Sequence, residues 1–404
     1  MSPRPARPVR GRGGATVPLL ALAGVLLVSL NLRTAVTSIS PLLGEIDAEI
    51  GLGTTGMGLL GMVPTAMFAL WGVLTPLLLR RAGLEAVTVL AMIAAAAGQL
   101  ARAAAPDPWL MGAGSLVALA GMGIGNVVAP PLVKKYFPRH VPLVSTLYIT
   151  GLQLGTVVPA LLAVPVADAA GWRVSIGWWA ALAVVAMVPW AVEFARSGSA
   201  PVGGAAGAAG TRIRPWRSPV GLALALFFGT NSLCTYAFFT WMPAVAESIG
   251  MTRAEGGIAL AVFSAIGLIA ALVVPWLAGR FDDPYAVVVV SVACYLAGFA
   301  GLLWAPGAAP WLWIVLVGVG PSTFPLCLTL INLRTRTAAG SAALSGFAQG
   351  VGYTIASLGP IVFGALFSWR GLGAGVAFLV GVLAVMTVVA RVACRPRMLE
   401  DTLR

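Results

Sequence analysis

Charge is scarce in this sequence. Only 9% of its 404 residues are Asp, Glu, Lys or Arg, against about 25% in soluble globular domains. No acid lies in the middle of a long apolar run; Glu85 and Glu193 stand at run ends. The one histidine, His140, falls between runs, so it cannot complete a buried catalytic triad. No metal-ligand cluster and no phosphate-cradling loop occurs in the apolar segments. The four cysteines, Cys234, Cys294, Cys327 and Cys394, lie in or at the end of apolar runs without metal-type spacing or a disulfide pattern, and read as small hydrophobes. These absences argue against an enzyme, and neither a cofactor nor a metal is called for.

What is present is apolar surface, at 59% of residues. It comes in runs of roughly 20, long enough for a helix to cross a ~30 Å hydrocarbon core. Twelve spans are expected, near Pro18–Ser40, Thr55–Leu79, Leu84–Ala104, Pro108–Val133, Val141–Ala167 and Trp172–Phe194, and then Pro219–Pro243, Ala254–Ala278, Pro284–Ala305, Ala309–Ile331, Gly340–Phe367 and Gly371–Ala393. The first run lacks a small-residue cleavage site and is too long for a signal segment, so it counts as a span. The chain therefore reads as an all-α membrane protein of twelve transmembrane helices in two pseudo-symmetric six-helix bundles. The expected division is a basic tail (1–17), a first bundle (18–196), a flexible Gly/Ala/Pro/Arg-rich linker (197–218), a second bundle (219–393) and a short tail (394–404).

The net charge of +12 does not mark a nucleic-acid binder, because the bases gather in alternate loops. Arg80 and Arg81 follow span 2, Lys134, Lys135 and Arg139 follow span 4, Arg280 follows span 8, and Arg334 and Arg336 follow span 10. The opposite loops hold Glu45, Asp47, Glu49, Asp107, Asp168, Glu247 and Glu255. The positive-inside rule then puts both termini and the linker in the cytoplasm of a cell-membrane protein. Asn31 and Asn231, Pro41 and Pro243, Pro76 and Pro275, Arg80 and Arg280, and Gly171-Trp172-Arg173 and Ser368-Trp369-Arg370 recur at about half the chain. That spacing is what a duplicated six-helix unit leaves, with its binding site near the midplane between the halves.

Polar residues inside the spans are the candidate site. Arg33 in NLRTAVTSISP (31–41) is the sharpest, since a charge at bilayer depth is costly and usually faces a cavity or a partner. Snorkelling to the outer interface is its plainer explanation. Asn31, Thr37, Asn126, Tyr148, Gln153, Asn231, Thr235, Tyr236, Gln349 and Tyr353 are the other candidate lining residues. Gln349 and Tyr353 share a helix face, as do Asn231 and Thr235. On a straight helix Asn31 and Arg33 point about 200° apart, so either the helix is distorted there or only one faces the cavity. Gly151 and Gly155 form a GxxxG packing pair, and the glycines of GMGIGNVV (121–128) allow close helix approach. The basic loops, with Arg80, Arg81, Lys134, Lys135 and Arg280, set topology; they could also latch one face by meeting Glu193, Asp282 or Asp283.

NLRTAVTSISPLL, GIGNVVAPPLVKKYFP, GVGPSTFPLCLTL and GFAQGVGYTIASLGP resemble the major facilitator superfamily and, within it, the cyanate and nitroimidazole transporters. Thr34 departs from that pattern, which places proline there. The superfamily's loop signature after span 2 is degenerate: Gly72, Arg80, Arg81 and Gly83 remain, with Pro76 where the acid is expected. The resemblance implies a monomeric secondary carrier of a small anionic or polar solute, working by alternating access, with a proton or counter-solute as a coupling partner and the lipid bilayer as surroundings. A drug efflux pump of the same superfamily, or a channel or non-transporting receptor, are the alternatives. A cavity holding Arg33 and no acid should favour an anion or a neutral polar heterocycle.

Overall fold

The computed structural model describes residues 16–137, 140–197, 214–336 and 338–402. The expected N-terminal tail and most of the linker lie outside that set. Among the described residues the chain is helical throughout, without a strand. Eleven helices are long and apolar enough to cross a membrane. One of them, Gly53–Ala103, would run ~77 Å at 1.5 Å per residue, more than twice a hydrocarbon core. It is two spans joined at Gly83, whose φ of 77° is left-handed and breaks the helix. The described residues thus form twelve spans of a multi-pass membrane protein.

Their order is α1 (Leu19–Ile50), α2 (residues 53–82), α3 (residues 84–103), α4 (Pro108–Tyr136), α5 (Val141–Ala170) and α6 (Trp172–Arg196), followed by α7 (Pro219–Ser248), α8 (Arg253–Arg280), α9 (Tyr285–Trp304), α10 (Pro310–Leu333), α11 (residues 338–370) and α12 (Leu372–Cys394). Gly171 (φ 83°) and Gly371 (φ 73°) turn the chain at equivalent points of the two halves. The Trp-Arg pairs beside them are not equivalent: Trp172-Arg173 opens α6, whereas Trp369-Arg370 closes α11.

Small residues bring the helices together. A Cβ on Gly155 would lie 2.0 Å from the Leu30 carbonyl oxygen, and one on Gly121 would lie 2.3 Å from that of Ala91. The GxxxG of α5 is thus the α1 contact, and in α4 Gly121 faces α3, Gly123 faces Met67 of α2 and Gly125 faces Leu32 of α1. Halves meet along α2 and α11, where Gly58 faces Ile361, and along α5 and α8, where Gly257 faces Ala160.

Of the two alternatives left open for the first helix, the structure shows the distorted one. The helix from Thr16 stops at Asn31, turns through Leu32 and Arg33, resumes as Thr34–Thr37, passes through a 3-10 turn at Ser40–Leu42 and ends as Leu43–Ile50. Side chains compete for its carbonyls. Thr34 donates to the Asn31 oxygen at 3.0 Å, Arg33 to that of Leu32 at 3.2 Å, Thr37 to that of Arg33 at 3.4 Å, and Arg102 of α3 to that of Ala35 at 2.9 Å. Pro41 removes one further amide donor.

Candidate functional site

Arg33 sits in the break. It is nearly buried, and its Nη1 donates to Leu32 and makes a long 3.5 Å contact with the Asn126 Oδ1 of α4. The rest of its donor fork meets no protein acceptor among the described residues, and no acid pairs with it. Its guanidinium lies 4.8 Å from the ring centre of Phe68 on α2, a cation–π contact. It is also close enough to act electrostatically on the phenols of Tyr148 (α5), Tyr236 (α7) and Tyr353 (α11). Tyr353 packs edge-on against Phe68, centroids 6.0 Å apart, and against Tyr236 at 6.4 Å. The cation therefore lies over one ring, Phe68, which itself joins the aromatic pair Tyr353–Tyr236 of the other half. In a low-dielectric site that arrangement leaves positive charge and planar donors for a guest.

The other expected residues divide. Asn31 is fully buried, and neither amide atom finds a partner. The helix break, and not a choice of face, explains how it coexists with Arg33. Thr37 serves the Arg33 carbonyl and not the guanidinium. Asn231 accepts from Thr323 of α10 at 2.6 Å, and Thr235 donates to the Asn231 carbonyl. Gln153 lies at the α5–α8 seam, where a Cβ on Gly267 would come within 2.9 Å of its Nε2. Gln349 donates to Ser345 at 2.7 Å within α11.

The loop residues stay away from the site. Arg80, Arg81 and Arg280 are exposed, Arg280 lying over Trp276 at 5.6 Å, and the Lys134 side chain is outside the described residues. Lys135 pairs with buried Glu85, which also accepts from Tyr136 at 2.7 Å; Arg391 pairs with Asp283. Both ion pairs lie within a half. The pairs that cross between halves are at the opposite, acid-rich end, where Arg253 of α8 reaches Glu45 and Asp168, the latter at 3.4 Å.

Phe68, Arg102 and Arg253 went unmarked in the sequence. Phe68 gives no contrast in an apolar run. Arg102 falls in the last turn of a span, where it reads as an interface residue. Arg253 had a usable signal: it is one of few bases among the acidic loops, and stands two residues before Glu255.

The family profile of the Major Facilitator Superfamily matches residues 24–357. The 2-nitroimidazole transporter of Escherichia coli (strain K12) is 30% identical over 355 residues, 87% of this chain and 89% of that protein. The cyanate transport protein CynX of the same organism is 28% identical, covering 86% of this chain and 90% of its own length. Among solved structures, a bacterial homolog of the human lysosomal transporter Spinster superposes with a TM-score of 0.69 at 15% identity, over 95% of this chain and 96% of that one.

Proposed function

The chain belongs to the major facilitator superfamily of transporters, and on that premise we propose that it is a secondary carrier of a small planar anion, with Arg33 as the charge that selects it. The carrying observation is a nearly buried guanidinium with no acid partner among the described residues, set over Phe68, whose ring packs on the Tyr353–Tyr236 pair of the other half. The cation attracts the anion, and the ring faces favour a flat guest. One relative carries a flat nitro-heterocycle and another a linear anion, and a site of this chemistry accommodates both features.

Alternating access follows from the duplicated halves. Lining residues come from α1, α2, α4 and α5 on one side and from α7 and α11 on the other, so rocking the halves alters the exposure of Arg33 without dismantling its own half of the site. The basic loops assign their end of the molecule to the cytoplasm. With Arg253 joining the halves at the acid-rich end, the state described is closed toward the outside.

The test is counterflow in proteoliposomes with labelled cyanate, 2-nitroimidazole and 4-hydroxybenzoate. At least one should show saturable exchange. Arg33→Ala should reduce it to background, and Arg33→Lys should restore only part, because an ammonium lacks the planar fork. Uptake by the alanine variant at the parent rate removes the site; non-saturable flux makes the protein a channel.

A further inference from the structure

Arg102 is a charge that the site above does not use, and it is buried more deeply than Arg33. It stands in the last turn of α3, at the acid-rich end, only 2% exposed. Nη1 donates to the Ala35 carbonyl, Nε is buried with no partner, and no acid pairs with it among the described residues. A cation held out of water with one carbonyl for company is poorly compensated.

A void lies against it, lined by Ser40 of α1, Gly61 of α2, Ser115 of α4 and Thr240 of α7. The void is tight, with about 10 Å³ open to the centre of a water-sized sphere, room for one water. Thr240 is the wall contributed by the other half. It closes on Gly61 so nearly that a Cβ there would lie 2.3 Å from its Oγ1. Parting the halves at this end withdraws Thr240 and leaves Arg102 with two hydroxyls, Ser40 and Ser115, facing the opening.

We propose that Arg102 is a second anion station, reached from the acid-rich side when the halves part there, which receives a small monovalent anion such as a carboxylate before Arg33 does. The proposal rests on the alternating-access reading above. The two stations share a moving part: Arg102 holds the carbonyl of Ala35 in the short helix Thr34–Thr37, which begins beside Arg33.

Arginine-directed labelling of the purified full-length protein tests this without requiring transport. Phenylglyoxal modification is read at each arginine by peptide mass spectrometry, with 4-hydroxybenzoate as the protecting anion. Two variants open the acid-rich end independently: Gly61→Trp, which cannot close on Thr240, and Arg253→Glu, which removes the ion pairs between halves. Each is first checked for a monodisperse elution profile, so one misfolded variant leaves the other. Arg102 should be unreactive in the parent, react at least tenfold faster in an opened variant, and be slowed there at least threefold by the anion. Equal reactivity in parent and opened variants, no reactivity in either, or reaction that the anion does not slow overturns the station. Arg33 reports on the carrier separately: missing protection at Arg33 in the parent counts against the proposed function and leaves the Arg102 result standing.

Discussion

The first helices of the two halves start from matched asparagines and end differently. Asn31 begins a break; Asn231 sits inside α7, which continues unbroken from Pro219 to Ser248. Hydroxyls alone are not the cause: Thr235 and Thr240 of α7 donate to carbonyls four residues back just as Thr37 does in α1, although α7 has Cys234 where Thr34 takes the Asn31 carbonyl. What α1 has besides is two guanidiniums. Arg33 and Arg102 take the carbonyls of Leu32 and Ala35, and α7 has Leu233 where α1 has Arg33. Satisfaction of the two amides differs in degree: Asn231 accepts from Thr323 through Oδ1 while its Nδ2 is buried without a partner among the described residues, and both amide atoms of Asn31 lack one. Each half thus buries unsatisfied polar groups, and only the N-terminal half adds to them a guanidinium, that of Arg102, whose Nε has no partner among the described residues.

Moving the charge across the repeat is the severest way to break this comparison. Exchanging the two residues, Arg33→Leu with Leu233→Arg, keeps composition and puts the guanidinium on the unbroken helix. Uptake of whichever solute the parent carries should stay below about one hundredth of the parent rate, since about 2.7 kcal/mol of lost stabilisation corresponds to that factor. Recovery above a tenth would mean that charge anywhere in the cavity suffices and that the break is incidental.

The asparagines give the next largest contrast, and its sign differs between halves. Asn231→Ala leaves the buried Thr323 hydroxyl without its acceptor, which should cost about 1–3 kcal/mol. Asn31→Ala removes two amide atoms that have no partner, so stability should hold or rise. Thermal unfolding of both variants in the same detergent decides the matter. A matched fall in Tm would show that Asn31 has partners as good as those of Asn231.

How much of this was legible beforehand depends on contrast against an apolar background. Twelve spans, the repeat and the candidates Arg33, Asn126, Tyr236 and Tyr353 stood out because a polar group in a lipid-length run needs a reason. Phe68 did not, since an aromatic in such a run has many. The break was illegible for another cause. Its backbone carbonyls are taken partly by Arg102, 67 residues along the chain, and no local pattern in NLRTAVTSISP announces that donor. The basic loops did not announce their partners: Lys135 turns to Glu85 in its own half.

That pair extends the comparison to the basic end. Glu85 is fully buried, whereas Asp283, the partner of Arg391, is about one third exposed. Removing Lys135 takes the cation from a buried carboxylate that keeps its hydrogen bond from Tyr136, and with the lysine itself half exposed the penalty should be about 1–2 kcal/mol. Arg391→Ala should cost under about 1 kcal/mol, because both partners are wetted. Denaturation of Lys135→Ala and Arg391→Ala side by side ranks them; equal losses would show that burial of the acid does not set the penalty.

The smallest expected effect concerns the ion pairs that join the halves. Arg253 meets Glu45 and Asp168, but Asp168 is 63% exposed and 3.4 Å away, so Asp168→Asn should shift the balance between closed and open states by less than about 0.5 kcal/mol, a factor of two. Glu45 is half as exposed and closer, and Glu45→Gln should shift it several-fold. Both shifts should shrink with salt, since exposed charges are screened within ~8 Å at physiological ionic strength. The readout is the labelling rate of a cysteine in place of Thr240 (Thr240→Cys) against a water-soluble thiol reagent. The contact with Gly61 shields that position only while the acid-rich end is shut. If Asp168→Asn exceeds Glu45→Gln, the end of α5 and not the end of α1 carries the closure. The asymmetry between the halves would then be confined to the binding site.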